Sequence, residues 1–218
     1  MKTVISTWAL LMSVTYAFGD TLTGTVYAPS AKPLPAGAEM AKGNPGCPKE
    51  KASNHSIKVK NGRLENSFVY LKDVKSGAPP TETVALDQLG CEYHPHVIAI
   101  RVGQPLKILN SDNTMHNVHA ISAKSQGFNE ARAGGRTPIE KKFTKSEFIR
   151  FRCDIHGWMN AVVGVFEHPY YSITDKEGHF KIDNILPGEH MIGVWHEKLG
   201  EKEMKVKVVG TANVDFTF

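Results

Sequence analysis

The sequence predicts an all-β fold of sandwich type. Short runs rich in Val, Ile, Phe and Tyr recur along its 218 residues, and Gly, Pro, Asn and Asp separate them. No long segment carries the 3.6-residue apolar period of a helix. The first runs are LTGTVY (22–27) and SFVYLKDV (67–74). HVIAIRVG (96–103) and PLKILNSD (105–112) follow, divided at Gly103 and Pro105. HNVHAIS (116–122), IRFRC (149–153) and AVVGVFE (161–167) complete the middle of the chain. HFKIDNI (179–185), HMIGVWHE (190–197), MKVKVVG (204–210) and NVDFTF (213–218) end it. Residues 28–46, rich in Ala, Pro and Gly, and residues 124–137 read as loops. Many short strands with frequent turns bury their apolar faces by packing one sheet on another.

Residues 1–19 form a leader: Lys2, an apolar run through Trp8, Leu10 and Met12, then small residues around Ala17 and Gly19. That run is too short to span a bilayer, so cleavage is expected and no stable membrane insertion after it. No cysteine follows the run to carry a lipid anchor. The expected location is periplasmic or otherwise exported. With 26 Lys and Arg against 22 Asp and Glu, the basic excess is too small and too dispersed to indicate nucleic acid.

Three cysteines in an exported chain are an odd number, which leaves one for a separate task. Cys47 (NPGCPKE) and Cys91 (QLGCEYH) sit in turn-like sequence and are expected to form a disulfide. Cys153 ends a β-rich run and is reserved for chemistry. In FRCDIHGWM, Cys153, His156 and Met159 fall at steps of three, a thiolate, an imidazole and a thioether in one loop. Those soft and borderline donors suit copper. Upstream, in NSDNTMHNVHA, His116 follows a turn and opens an alternating strand, a candidate second imidazole. A structural zinc site would favour more Cys or His over a thioether. His94, His96, His119 and His196 read as surface or core histidines, and strand parity turns His119 away from the face that bears His116.

TMHNVHA together with CDIHGWM resembles the cupredoxins, the plastocyanin- and amicyanin-like blue copper proteins, over roughly residues 84–167. The resemblance implies a Greek-key β-sandwich holding one copper ion, Cu(I)/Cu(II), through His116, Cys153, His156 and Met159. It also implies that Asn117, with Asp154 in the ligand loop, supports the ligands by hydrogen bonding. The ligand loop departs from the usual pattern at Asp154, Ile155, Gly157 and Trp158. His156, Gly157, Trp158 and Met115 are the expected electron port and partner contact, with the His156 ring edge near the surface.

Residues 171–200, with Thr174-Asp175 before Gly178 and Pro187-Gly188 before a strand, resemble the small transthyretin-like domain of carboxypeptidase regulatory modules. LTGTVYAPSAKPLP and SFVYLKDV resemble its first strands. Residues 20–74 and 169–218 are therefore expected to form one β-sandwich around a cupredoxin at 75–168. The competing arrangement is a cupredoxin flanked by independent pieces. The expected function is one-electron carriage, without enzyme activity, to or from a redox protein such as a c-type cytochrome or a membrane oxidase. The alternatives are a chaperone or sensor delivering Cu(I) to an exported oxidase, and an adhesion module with a vestigial site.

Overall fold

A computed structural model describes residues 19–33, 46–47, 55–72, 74 and 77–218. The expected leader lies outside these residues except for Gly19. Every regular element among them is a β-strand. The N-terminal part supplies β1 (Asp20–Tyr27), β2 (Val59–Lys60), β3 (Arg63–Leu64) and β4 (Phe68–Leu71). The middle supplies β5 (Val84–Leu89), β6 (Glu92–His94), β7 (Val97–Arg101), β8 (Leu106–Asn110) and β9 (His116–Ile121). It continues with β10 (Phe128–Arg132), β11 (Ile139–Lys141), β12 (Glu147–Arg152) and β13 (Asn160–Phe166). The last part supplies β14 (Tyr171–Ile173), β15 (His179–Ile185), β16 (Gly188–His196), β17 (Gly200–Val208), β18 (Thr211–Asn213) and β19 (Phe216–Thr217).

The middle strands form two sheets, ordered β10-β9-β12-β13-β7 and β11-β8-β5-β6. Period-2 alternation turns Val118, Ala120, Ile149, Phe151 and Cys153 inward from the first sheet, against Leu86, Tyr93, Leu106 and Ile108 of the second. The two ends of the chain meet in a second pair of sheets. There β1 pairs antiparallel with β15 and parallel with β18 and β19. In the facing sheet β4 lies between β14 and β16. Leu22, Val26, Leu64, Phe180, Ile182, Ile192 and Val194 fill the space between them.

A third apolar cluster joins the two pairs of sheets, built on Phe68, Val97, Val162 and Phe166 with Phe148, Tyr171 and Trp195 packed against it. Trp195 stacks on Phe148 at 4.2 Å between centroids, with 7° between the rings. This contact explains why AVVGVFE is apolar without alternation. Ala161, Val163 and Val165 of β13 face the inner core, while Val162 and Phe166 face the third cluster. A strand buried on both faces needs apolar residues at every position.

One loop expectation is corrected. Residues 124–137 contain β10, which pairs with β9 from Phe128 opposite Ala120 to Arg132 opposite His116. It is an edge strand of mixed exposure, FNEAR, so no apolar alternation announces it in sequence. Cys47 and Cys91 form a disulfide across a sequence separation of 44. Closing a loop of that length stabilises the fold by about 4 kcal/mol in the chain-entropy account.

Candidate metal centre

Two loops at one end of the first sheet bring the donors together. The first precedes β9 and is shaped by Asn110, whose Nδ2 donates to Thr114 O at 3.0 Å and Arg132 O at 2.9 Å. Asn110 Oδ1 accepts the Asp112 N–H at 3.1 Å. Gly134 packs so closely here that a Cβ on it would lie 1.7 Å from Asp112 O, which only glycine avoids. The second loop joins β12 to β13. Cys153 N–H donates to Met159 O at 3.1 Å, Met159 N–H to His156 O at 2.9 Å, and His156 N–H to Cys153 Sγ at 3.4 Å.

His116 Nδ1 and His156 Nδ1 stand 2.9 Å apart, and Cys153 Sγ lies 3.9 and 3.8 Å from them. Donors bound ~2.0–2.3 Å from one ion must lie within ~4.6 Å of each other. All three separations meet that limit, so the residues fit a single first-row ion. The three side chains are buried, at 0%, 3% and 1% exposure for His116, His156 and Cys153. Met159 is buried in the core that holds Cys153, and its main chain closes the loop.

Hydrogen bonding sets the His116 tautomer. Its Nε2 lies 2.8 Å from Asp112 Oδ2, a carboxylate oxygen that can only accept. The ring hydrogen therefore sits on Nε2 and the Nδ1 lone pair faces Cys153 and His156. The Asp112 carboxylate is fixed in turn by Gly90 N–H at 2.6 Å and Cys91 N–H at 2.8 Å.

The protonation equilibria agree with a cation site. For Cys153, burial pushes the thiol up, but the His116 hydrogen bond and the backbone N–H groups of Asn117, His156 and Ile155 outweigh it and lower its pKa. For His116, burial pushes down, but Cys153 and Asp112 outweigh it and raise its pKa. Burial, then the neighbouring His116, lowers the pKa of His156 and favours its neutral, ligating form.

Asn117 ties the two loops. Its Oδ1 accepts Asp154 N–H at 2.6 Å and Ile155 N–H at 3.3 Å, and its Nδ2 donates to Asp154 Oδ2 at 2.9 Å. Asp154 is also bonded by Asn129 Nδ2 at 2.8 Å, His119 Nδ1 at 3.0 Å and Arg152 Nε at 2.8 Å. His119 is thereby committed to this outer network and not to the donors. His96 pairs with Glu197 and His196 is fully buried elsewhere, so neither joins the centre.

The expected exposure of the His156 ring edge needs correction. His156 is buried, and Trp158 is half-buried with its indole N–H on Cys91 O at 3.0 Å. The disulfide, His116 and Trp158 all lie against His156: Cys47, Cys91 and His156 each place a donor atom within 4.8 Å of the others, and the His116 and Trp158 rings lie 4.8 and 5.2 Å from it between centroids. Exposure at this end falls instead to Met115 at 53% and Ile155 at 50%, with Gly157 also exposed and Leu89 at 49%. Sequence reading also missed Asp112. Its only signal is a carboxylate four residues before His116 in a turn, and that recurs in many loops.

The chain matches no protein-family model and no curated protein. Solved structures align with part of it. A copper-containing nitrite reductase from Thermus scotoductus SA-01 is 22% identical over 45% of this chain, with a TM-score of 0.38, and the match spans 25% of that enzyme's length. A purple cupredoxin from Nitrosopumilus maritimus is 22% identical over 37% of this chain and 97% of its own, with a TM-score of 0.33. An amicyanin variant in the Cu(I) state is 19% identical over 43% of this chain and 86% of its own, with a TM-score of 0.35.

Proposed function

We propose that this protein is an exported mononuclear blue copper protein that carries single electrons between redox partners. The observation that carries this reading is the buried convergence of His116 Nδ1, His156 Nδ1 and Cys153 Sγ within 3.9 Å of one another. With Met159 on the same loop, the donors are those of a blue-copper electron-transfer site, and copper bound there would supply a one-electron couple. The chain's part is to hold the donors still. Asp112 orients His116, Asn117 locks the Cys153 loop to the His116 loop, and Tyr93 Oη bridges Asn117 O and Arg152 O at 3.3 and 3.2 Å. Such a frame keeps the donors in one geometry through a change of charge.

Residues 20–74 and 169–218, a carboxypeptidase-regulatory-like sandwich in this reading, make the frame on which the copper unit at 75–168 is mounted. The buried donor set favours a carrier over an enzyme, because no donor is left open to substrate. It also favours a carrier over a chaperone, which needs an exposed, exchangeable set. Partner contact in this reading falls on Met115, Ile155 and Gly157, and a c-type cytochrome or membrane oxidase is the kind of partner expected. The leader and the disulfide together support an oxidising, exported location.

The test is reconstitution of the full mature chain with one equivalent of copper. The oxidised form should absorb strongly toward the red end of the visible spectrum, and Cys153→Ser should abolish the band. A colourless wild-type protein carrying stoichiometric copper would refute the reading.

A further inference from the structure

Met159 closes the ligand loop, and the next residue, Asn160, opens β13. β13 pairs with β7 from Val162 opposite Val97 onward, so the Asn160 carbonyl lies past the end of that ladder. A side chain meets it there. His96 Nδ1 lies 3.1 Å from Asn160 O, and a carbonyl can only accept, so Nδ1 donates. The other ring nitrogen, Nε2, is bonded to Glu197 Oε1. Glu197 sits at the tip of the β16–β17 hairpin, in the sandwich built from the two ends of the chain. Both side chains are buried, His96 at 6% and Glu197 at 9% exposure. His96, Trp158, Met159 and Asn160 line one cavity of about 10 Å³, room for no more than a single water.

Joining the two pairs of sheets does not require this histidine and carboxylate. The seam already holds Phe68, Phe148, Phe166 and Trp195, and a buried charged pair is a weak source of stability once its desolvation is counted. What distinguishes the pair is where it ends, on the residue after Met159. We infer that Glu197 is a positioning residue for the metal centre: acting through His96, it holds Asn160 and so sets where Met159 stands relative to the other donors. The inference rests on the copper reading above. The main-chain bonds of Met159 to Cys153 N–H and His156 O run within the ligand loop and move with it, as does the bond from Asn160 Nδ2 to Trp158 O. The tie to His96 comes from outside the loop, joined by a longer bond from Ser56 Oγ to Asn160 Oδ1 at 3.3 Å. An axial thioether contact is weak and long, so the backbone that carries it decides its length, and that contact tunes the potential. The hairpin tip thereby gives the terminal sandwich a part in the chemistry of the copper unit.

The experiment compares the full mature chain with its Glu197→Ala and Glu197→Gln variants by redox titration of the copper form and by the Met159 methyl resonance of apo-protein labelled at its methionine methyls. Glu197→Ala should change the ratio of Cu(II) to Cu(I) affinity at least threefold, about 28 mV for a one-electron couple. It should also displace the Met159 resonance. Glu197→Gln keeps a hydrogen-bond partner for His96 and should return both readouts to near wild type. A Glu197→Ala chain that loses thermal stability while both readouts stay in place would overturn the inference and leave the pair a brace between sheets. So would a Glu197→Gln chain displaced as far as Glu197→Ala, because lost charge and not lost hydrogen bonding would then be the cause. Where Glu197→Ala does not fold, His96→Phe keeps a ring and loses the Asn160 bond, and the same displacements are expected of it. A wild-type chain without the Cys153-dependent band would refute the copper reading, and the Met159 resonance of apo-protein would still decide whether Glu197 places that residue.

Discussion

Asp112→Asn is the sharpest perturbation of the frame behind the metal centre. The carboxylate accepts three hydrogen bonds, two of them buried, from Gly90 N–H at 2.6 Å, Cys91 N–H at 2.8 Å and His116 Nε2 at 2.8 Å. An amide has one acceptor oxygen and cannot serve both sides. With its oxygen toward Cys91 and His116, its NH2 opposes the Gly90 N–H, donor against donor. In the reverse orientation the NH2 opposes Cys91 N–H and donates to His116 Nε2, which moves the ring hydrogen to Nδ1 and removes the lone pair from the donor side. Losing a charged buried hydrogen bond costs roughly 2–3 kcal/mol. For a chain of this size that lowers the apo-protein Tm by about 4–12 °C. Outer hydrogen-bond partners of a ligating histidine are typically worth ~10–100-fold in metal affinity, and Asp112→Asn should fall in that range. The assays are thermal unfolding of apo-protein and competition for Cu(I) against a chelator. Removing a negative charge beside the ion should also raise the reduction potential. Copper affinity within twofold of wild type together with an unchanged Tm would refute the role assigned to Asp112.

Three further outcomes are expected. His196 is fully buried and burial lowers its pKa to about 4, from 6.5. The fold therefore binds its neutral form, and the unfolded chain takes up the proton first as pH falls. Stability from this group is complete above pH 6.5 and is lost between 6.5 and about 4, by about 3 kcal/mol. Urea titrations across that window should show the fall, and His196→Gln should flatten it; an identical slope in the variant would count against the assignment. Gly134→Ala should destabilise apo-protein by about 1–3 kcal/mol and weaken copper binding, since its Cβ would meet Asp112 O. Gly157→Ala in the ligand loop, where a Cβ meets nothing within 4 Å, should leave both near wild type. Trp195→Ala should cost about 3 kcal/mol through loss of the Phe148 stack yet leave the copper spectrum unchanged, and a displaced visible band would show that the donors depend on that contact.

The strands with strong apolar pattern were legible from sequence. IRFRC and HNVHAIS alternate because one face of each is in the core, and both appear as β12 and β9. The edge strand β10 was not legible, because an exposed edge needs no apolar face. His116, Cys153, His156 and Met159 stood out because soft donors at short spacing are rare. Asp112 and the nearness of Cys91 to His116 are products of three-dimensional packing between β5, β6 and β9, and local spacing carries no trace of them. The burial of His156 was misjudged for the same reason. A loop residue flanked by Gly157 and Ile155 looks exposed until Cys47 and Cys91, both far earlier in the chain, are brought beside it.

Strands β13 and β7 of the sheet that carries the donors are packed on both faces, by the partner sheet on one side and by Phe68, Tyr171 and Trp195 on the other. β13, which leaves the Cys153 loop, is therefore held between two apolar layers, whereas β12, which enters it, is buried on its inner face and turns Arg150 and Arg152 to solvent. Motion of the β13 end of that loop requires repacking of either layer, which close-packed interiors resist. The other donor strand, β9, is fastened to β12 by pairing through Ala120 and His119 and to the loop by Asn117. The His116–Cys153 separation is consequently set by backbone pairing and one asparagine, whereas the His156 position depends on a short loop and the disulfide beside it. Loss of the disulfide should therefore disturb His156 more than His116, and site-resolved imidazole chemical shifts in oxidised and reduced apo-protein would decide it. A larger displacement at His116 would show that the β9 to β12 pairing is not what fixes the donors.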